Sequence, residues 1–161
     1  MGSLYWQLND CWPVASWSGI DYYGKWKALH YRVKDAFSNF LVSHNFNKDT
    51  LELFVVSDSL LDISATIKVE LLDFEGTQID KKEKQILVKA NHSEMVMKIH
   101  LNQFVDSIFY DNTFLNVSIL DAEFNVLADN KIFFNSFKDL KLPKSDIIGF
   151  TIKPSGLTSF A

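Results

Sequence analysis

Ile67-Lys68-Val69-Glu70-Leu71 and Leu115-Asn116-Val117-Ser118-Ile119 alternate apolar and polar side chains residue by residue. In an extended chain successive side chains point to opposite faces, so each stretch presents one apolar face and one polar face, the pattern of a strand buried on one side. Working outward, the same period recurs. Leu51, Leu53 and Val55 alternate with Glu52 and Phe54, and Met95, Met97, Ile99 and Leu101 alternate with Val96, Lys98 and His100. Turn-forming groups separate the runs: Asn47-Lys48-Asp49, Ser57-Asp58-Ser59, Phe74-Glu75-Gly76-Thr77, Asn91-His92-Ser93, Asp111-Asn112-Thr113 and Asn125.

Weaker strands near 39–46, 79–88 and 126–135 bring the total to about seven over roughly 100 residues, the size and spacing of an immunoglobulin-like β-sandwich. No helix separates the strands, so antiparallel pairing is expected. The first 38 residues read differently. Trp26, Leu29, Val33 and Phe37 recur at helical spacing with Lys25, Lys27, Arg32 and Lys34 between them, which predicts an amphipathic helix over 24–38 with Asp21 near its N-cap. Ser3-Leu4-Tyr5-Trp6-Gln7-Leu8 is a short strand candidate. One strand and one helix leave each other's apolar faces uncovered and need partners beyond this sequence. At the other end Pro143 breaks the strand pattern and Ile147–Ile152 begins a new strand-like run, so the chain reads as cut at both ends.

Composition sharpens this division. The chain has 161 residues, 47% hydrophobic and 14% aromatic, and its aromatics are segregated: all four tryptophans and four of the five tyrosines lie within the first 31 residues, and all fourteen phenylalanines from Phe37 onward. Phenylalanine, with no polar handle, is expected to fill the sandwich interior. Residues 36–142 carry sixteen acidic and ten basic side chains. This acidic body without a basic stripe argues against nucleic acid and against an anionic membrane surface as partners. No run approaches the ~20 apolar residues of a membrane span, and the chain is read as soluble and without a targeting address. A single cysteine, Cys11, cannot form an internal disulfide. His30, His44, His92 and His100 lack metal-ligand spacing, so no metal or cofactor is expected.

Gln7, Asn9 and Asp10 sit among Tyr5, Trp6, Trp12 and Trp17. Flat apolar rings alternating with short hydrogen-bonding groups suit a sugar, whose C–H face packs on indole and whose hydroxyls need directional partners. Aromatic-rich segments also serve as core or as subunit interface.

Gly2-Ser3-Leu4-Tyr5-Trp6-Gln7-Leu8-Asn9-Asp10-Cys11-Trp12-Pro13, followed by Ser16-Trp17-Ser18-Gly19-Ile20-Asp21-Tyr22-Tyr23-Gly24-Lys25-Trp26-Lys27-Ala28-Leu29-His30-Tyr31, resembles the end of the catalytic barrel in β-mannosidases of glycoside hydrolase family 2. The resemblance implies a mainly β chain: an immunoglobulin-like antiparallel β-sandwich over 39–142, preceded in 1–38 by the last strand (Leu4–Asn9) and helix (Gly24–Phe37) of a (β/α)8 barrel. Residues 143–161 would be a linker and the start of a further sandwich domain. The strand's C-terminal end would then face the active site, as in other barrel enzymes. Carried over, Trp6 becomes the platform under the terminal mannose ring, and Asn9, Asp10, Trp12 and Trp17 line or support the rim of the pocket.

The activity implied is exo-acting, retaining hydrolysis of terminal β-mannosides, which needs two glutamates about 5–5.5 Å apart. No glutamate precedes Glu52, and Glu52, Glu70 and Glu75 read as solvated carboxylates on strand faces or in a turn. The chain is therefore expected to contain no catalytic residue and to be inactive alone. Its implied partners are the upstream barrel and downstream sandwich of the same polypeptide, with a β-mannoside as substrate, in a periplasmic, extracellular or lysosomal setting. Two alternatives stand beside this reading: a stand-alone carbohydrate-binding or interaction module, and a family 2 enzyme acting on β-galactosides or β-glucuronides. Residues 39–142 hold no tryptophan and one tyrosine, Tyr110, which favours a structural sandwich over a sugar-binding one.

Overall fold

The structure, a computed structural model, describes residues 4–143; the strand-like run expected at 147–152 lies outside them. One helix, α1 (Ala28–Ala36), precedes seven strands: β1 (Phe40–Asn47), β2 (Thr50–Ser57), β3 (Ile63–Asp73), β4 (Gln78–Val88), β5 (His92–His100), β6 (Thr113–Leu120) and β7 (Val126–Phe133). All strand pairs are antiparallel. They form a three-stranded sheet in the order β1-β2-β5 and a four-stranded sheet in the order β4-β3-β6-β7, the sandwich expected from the alternation.

The core lies between the sheets. Leu51, Leu53 and Val55 of β2 bury themselves with Ile67, Val69 and Leu71 of β3 and Leu115, Val117 and Ile119 of β6. Burying each such side chain is worth about 1.5–3 kcal/mol, and interdigitation of two inner faces is what sets the sheet spacing. Phenylalanine does not fill this space. Among the described residues Phe104 is the one buried phenylalanine, with Phe40 and Phe134 partly buried against the core. Phe114 of β6 and Phe133 of β7 instead stack at 5.7 Å, with Phe74 6.0 Å from Phe114 and the exposed Phe137 5.0 Å from Phe133. The lysines and acids on the same outer positions explain the phase: aliphatic side chains claim the inward positions of β3 and β6, which sends the rings out.

β5 departs from its expected phase. Leu53 pairs with Met97 while Phe54 pairs with Met95, so Val96 is an extra residue on β5. A bulge of this kind shifts the phase of the residues before it: Met97, Ile99 and Leu101 lie against or within the core as expected, while Val96 is buried in place of Met95, which is exposed. Both open sides of the sandwich are closed by a side chain bonding to backbone. Lys84 of β4 donates to the carbonyl of Val96 at 2.9 Å, and Asn130 of β7 donates to that of Val42 at 3.1 Å. Lys82 and Lys84 share the inward phase of β3's buried Val69 and Ile67, with which they pair, and Lys82 lies 5.0 Å from the centre of the Phe104 ring. Inward-pointing charge on an edge strand is a known means of discouraging edge-to-edge association.

Glu52 and Glu70 are less solvated than their strand positions imply. Glu52 pairs with Lys98 at 3.2 Å, directly across from it on β5. Glu70 pairs with Lys68 and accepts from Asn116 at 3.2 Å. These bonds hold both carboxyls below their ordinary range, led for Glu52 by Lys98; for Glu70 they outweigh the burial that acts to raise it.

Candidate functional site

The expected site residues all belong to the segment before α1. Extended pairing there is short: Gly19 donates to the carbonyl of Gln7 at 3.1 Å, Ile20 to that of Leu8 at 2.9 Å, and the amide of Asp10 to that of Ile20 at 3.0 Å. The strand expected over Leu4–Asn9 is thus represented by one parallel bridge, Asn9 to Ile20. The Trp6–Gln7 peptide bond is cis. The helix starts later than its apolar spacing predicts. Asp21 does not cap it; its carboxylate accepts from the amide of Lys25 at 2.8 Å and its carbonyl from Gly24 at 3.0 Å, closing a turn in which Gly24 adopts φ 79°. Lys27 occupies the N-cap position.

Trp6, Trp12 and Trp17 are 74%, 62% and 72% exposed, so their ring faces are available for stacking. Asn9 is exposed and donates to the carbonyl of Asp10 at 3.2 Å, while Gln7 donates to that of Asn9 at 3.3 Å. Asp10 is different. It is 4% exposed and supports its neighbours rather than presenting a free carboxylate. One of its oxygens accepts from the Ser16 hydroxyl and the other from the Lys27 ammonium at 2.9 Å. Lys27 also donates to the Ser18 hydroxyl at 2.8 Å and to the Ser16 carbonyl at 3.2 Å. Ser18 in turn donates to the carbonyl of Ile20 at 2.9 Å. The Ser16 hydroxyl first, then Lys27, hold the Asp10 carboxyl below its ordinary value against the opposing effect of burial.

Ser16, Ser18 and Lys27 were not singled out by their sequence positions. A lysine on a helix and two serines in a loop carry no signal until the fold brings positions 10, 16, 18 and 27 together. Next to this cluster, Tyr5 Oη and His30 Nδ1 are buried without a hydrogen-bond partner. A Cβ added to Gly19 would lie 2.0 Å from the Tyr5 hydroxyl and 3.0 Å from His30 Nδ1, so this approach requires glycine. Among the described residues no three histidine, cysteine, aspartate or glutamate side chains are grouped so as to hold a metal ion. In the sandwich, Tyr110 is half-buried and stacked on Phe134 at 4.6 Å. Burial, then Asp49 and Asp106, push its hydroxyl above the ordinary tyrosine value.

The chain is similar to β-mannosidase A of Aspergillus terreus, with 34% identity over 110 residues that make up 64% of this chain and 12% of that protein. It is similar to β-mannosidase A of Aspergillus flavus, with 42% identity over 81 residues, 49% of this chain and 9% of that one. Among solved structures, a β-D-mannosidase from Dictyoglomus thermophilum superposes with a TM-score of 0.74 and 36% identity, covering 86% of this chain and 16% of its own. An exo-chitosanase from Amycolatopsis orientalis shares the fold, with a TM-score of 0.62 at 18% identity over 80% of this chain and 15% of that one. The chain therefore corresponds to a small part of much longer relatives. The family described as Mannosidase Ig/CBM-like domain matches residues 49–139, more than half of the sequence, and the chain belongs to that family.

Proposed function

We propose that this chain is part of an exo-acting, retaining β-mannosidase, in which residues 1–38 end the catalytic barrel and 39–142 form an accessory sandwich. The observation that carries this reading is the extent of the likeness to the Dictyoglomus thermophilum β-D-mannosidase. At 36% identity it covers 86% of the chain, more than the sandwich alone supplies. Exposed tryptophans beside amide side chains suit stacking under a pyranose ring, and Trp6 is the platform in this reading, with Asn9, Trp12 and Trp17 at the rim and Asp10 beneath it. The sandwich acts as a structural neighbour: Tyr110 is occupied by Phe134, and the outward rings of the second sheet are phenylalanines without hydrogen-bonding groups.

Glu52 and Glu70 are engaged by lysines on separate strands of separate sheets, and in this reading the two catalytic carboxylates are supplied by the upstream barrel. The test is hydrolysis of aryl glycosides by the complete reading frame containing this chain. Release from the β-mannoside, with none from the 161-residue polypeptide alone, is expected. Preference for a β-galactoside or β-glucuronide would overturn the specificity, and release by the isolated chain would overturn the division of labour.

A further inference from the structure

We propose that Lys27 is a positioning residue that locks the loop 11–17, and with it Trp12 and Trp17, into one arrangement. A lysine ammonium has three donors and no acceptor. Here all three are spent on the base of one loop: the Asp10 carboxylate before it, and the Ser16 carbonyl and Ser18 hydroxyl on either side of Trp17. The Lys27 main chain holds the same place, its amide donating to the carbonyl of Gly19 at 2.8 Å. Apart from Lys27, the loop is held by the Ser16 hydroxyl, which donates to Asp10 and accepts from the Ser18 amide at 3.0 Å, while Cys11, Trp12, Pro13, Val14, Ala15 and Trp17 are all exposed.

The cluster is also shielded. The Asp10 side chain is 1% exposed and that of Lys27 30%, so the bonds form where water competes poorly. Removing the ammonium would leave a buried carboxylate with only serine hydroxyls beside it and no countercharge, an outcome the loop avoids by opening. That Trp12 and Trp17 bound a sugar rests on the β-mannosidase reading; the clamp itself does not.

Two readouts separate these. In the 161-residue chain, Lys27→Met should raise the rate of chymotrypsin cleavage after Trp17 by about 10-fold, since cleavage tracks local opening, while the unfolding midpoint of the sandwich stays in place. In the complete reading frame the same variant should raise KM for an aryl β-mannoside about 10-fold with kcat within about twofold, the mark of lost substrate contacts rather than lost enzyme. Lys27→Arg keeps the charge on a planar fork that cannot meet three convergent acceptors and should recover part of both effects. An unchanged cleavage rate overturns the clamp. Accelerated cleavage with an unchanged KM overturns its role at the sugar site. A wild-type reading frame that hydrolyses no β-mannoside overturns the proposed function, and the cleavage rates then decide the clamp alone.

Discussion

The two regions on either side of residue 40 bury opposite kinds of side chain. From β1 onward the interior is built of leucine, isoleucine and valine drawn from both sheets. Before it, the buried residues among those described are Asp10, Ser18 and Gly19, none of them a large apolar side chain, while Leu4, Trp6, Leu8, Trp12, Trp17, Tyr23, Trp26 and Leu29 face outward. The helix α1 buries no residue at all. The sandwich has an apolar interior of its own. A segment stitched by polar bonds with its apolar groups outside fits a piece whose packing surface is completed by other parts of a larger fold.

Truncating one leucine in each region should have unequal effects. Leu115→Ala removes a fully buried side chain and should cost about 2–5 kcal/mol in urea unfolding of the 161-residue chain. Leu29→Ala, on an uncovered helix face, should stay within about 0.5 kcal/mol. Equal losses would mean that the N-terminal segment owns part of the core. Smaller effects are expected at the sides of the sandwich. Lys84→Met and Asn130→Ala each remove one bond to a strand carbonyl and should cost about 1 kcal/mol. Because they sit on opposite sides, the double variant should show the sum.

The smallest effect concerns acid. The Asp10 carboxyl titrates below its ordinary value through Ser16 and Lys27, so its contribution is complete above the ordinary aspartate range and is lost as pH falls through the lowered value. Tryptophan fluorescence followed from pH 5 to pH 2 should show this step in the N-terminal segment. Lys27→Met should move it to higher pH, and a step that does not move would remove Lys27 from the account.

Much of the fold was legible because β2, β3 and β6 keep strict alternation over their buried stretches, and a period of two has one structural meaning. β5 was legible from Met97 onward and misread before it, since a single bulged residue, Val96, shifts the phase at Met95 without leaving a mark in composition. The fate of phenylalanine was also hidden, because hydrophobicity says that a ring leaves water but not whether it does so between the sheets or stacked outside them. At the candidate site the aromatic and amide residues stood out as a dense local cluster, whereas the clamp did not. Its members are separated by up to seventeen positions, and nothing in a helix-borne lysine distinguishes a buried partner from solvent.

The central claim is that the exposed indole of Trp6 belongs to a sugar site completed by the rest of a glycosidase. It is tested most directly by kcat/KM for an aryl β-mannoside in the complete enzyme carrying Trp6→Ala. Loss of the stacking platform should lower it by on the order of 1–3 kcal/mol of transition-state binding, about 5- to 150-fold. Unchanged kinetics in a correctly folded variant would contradict the account.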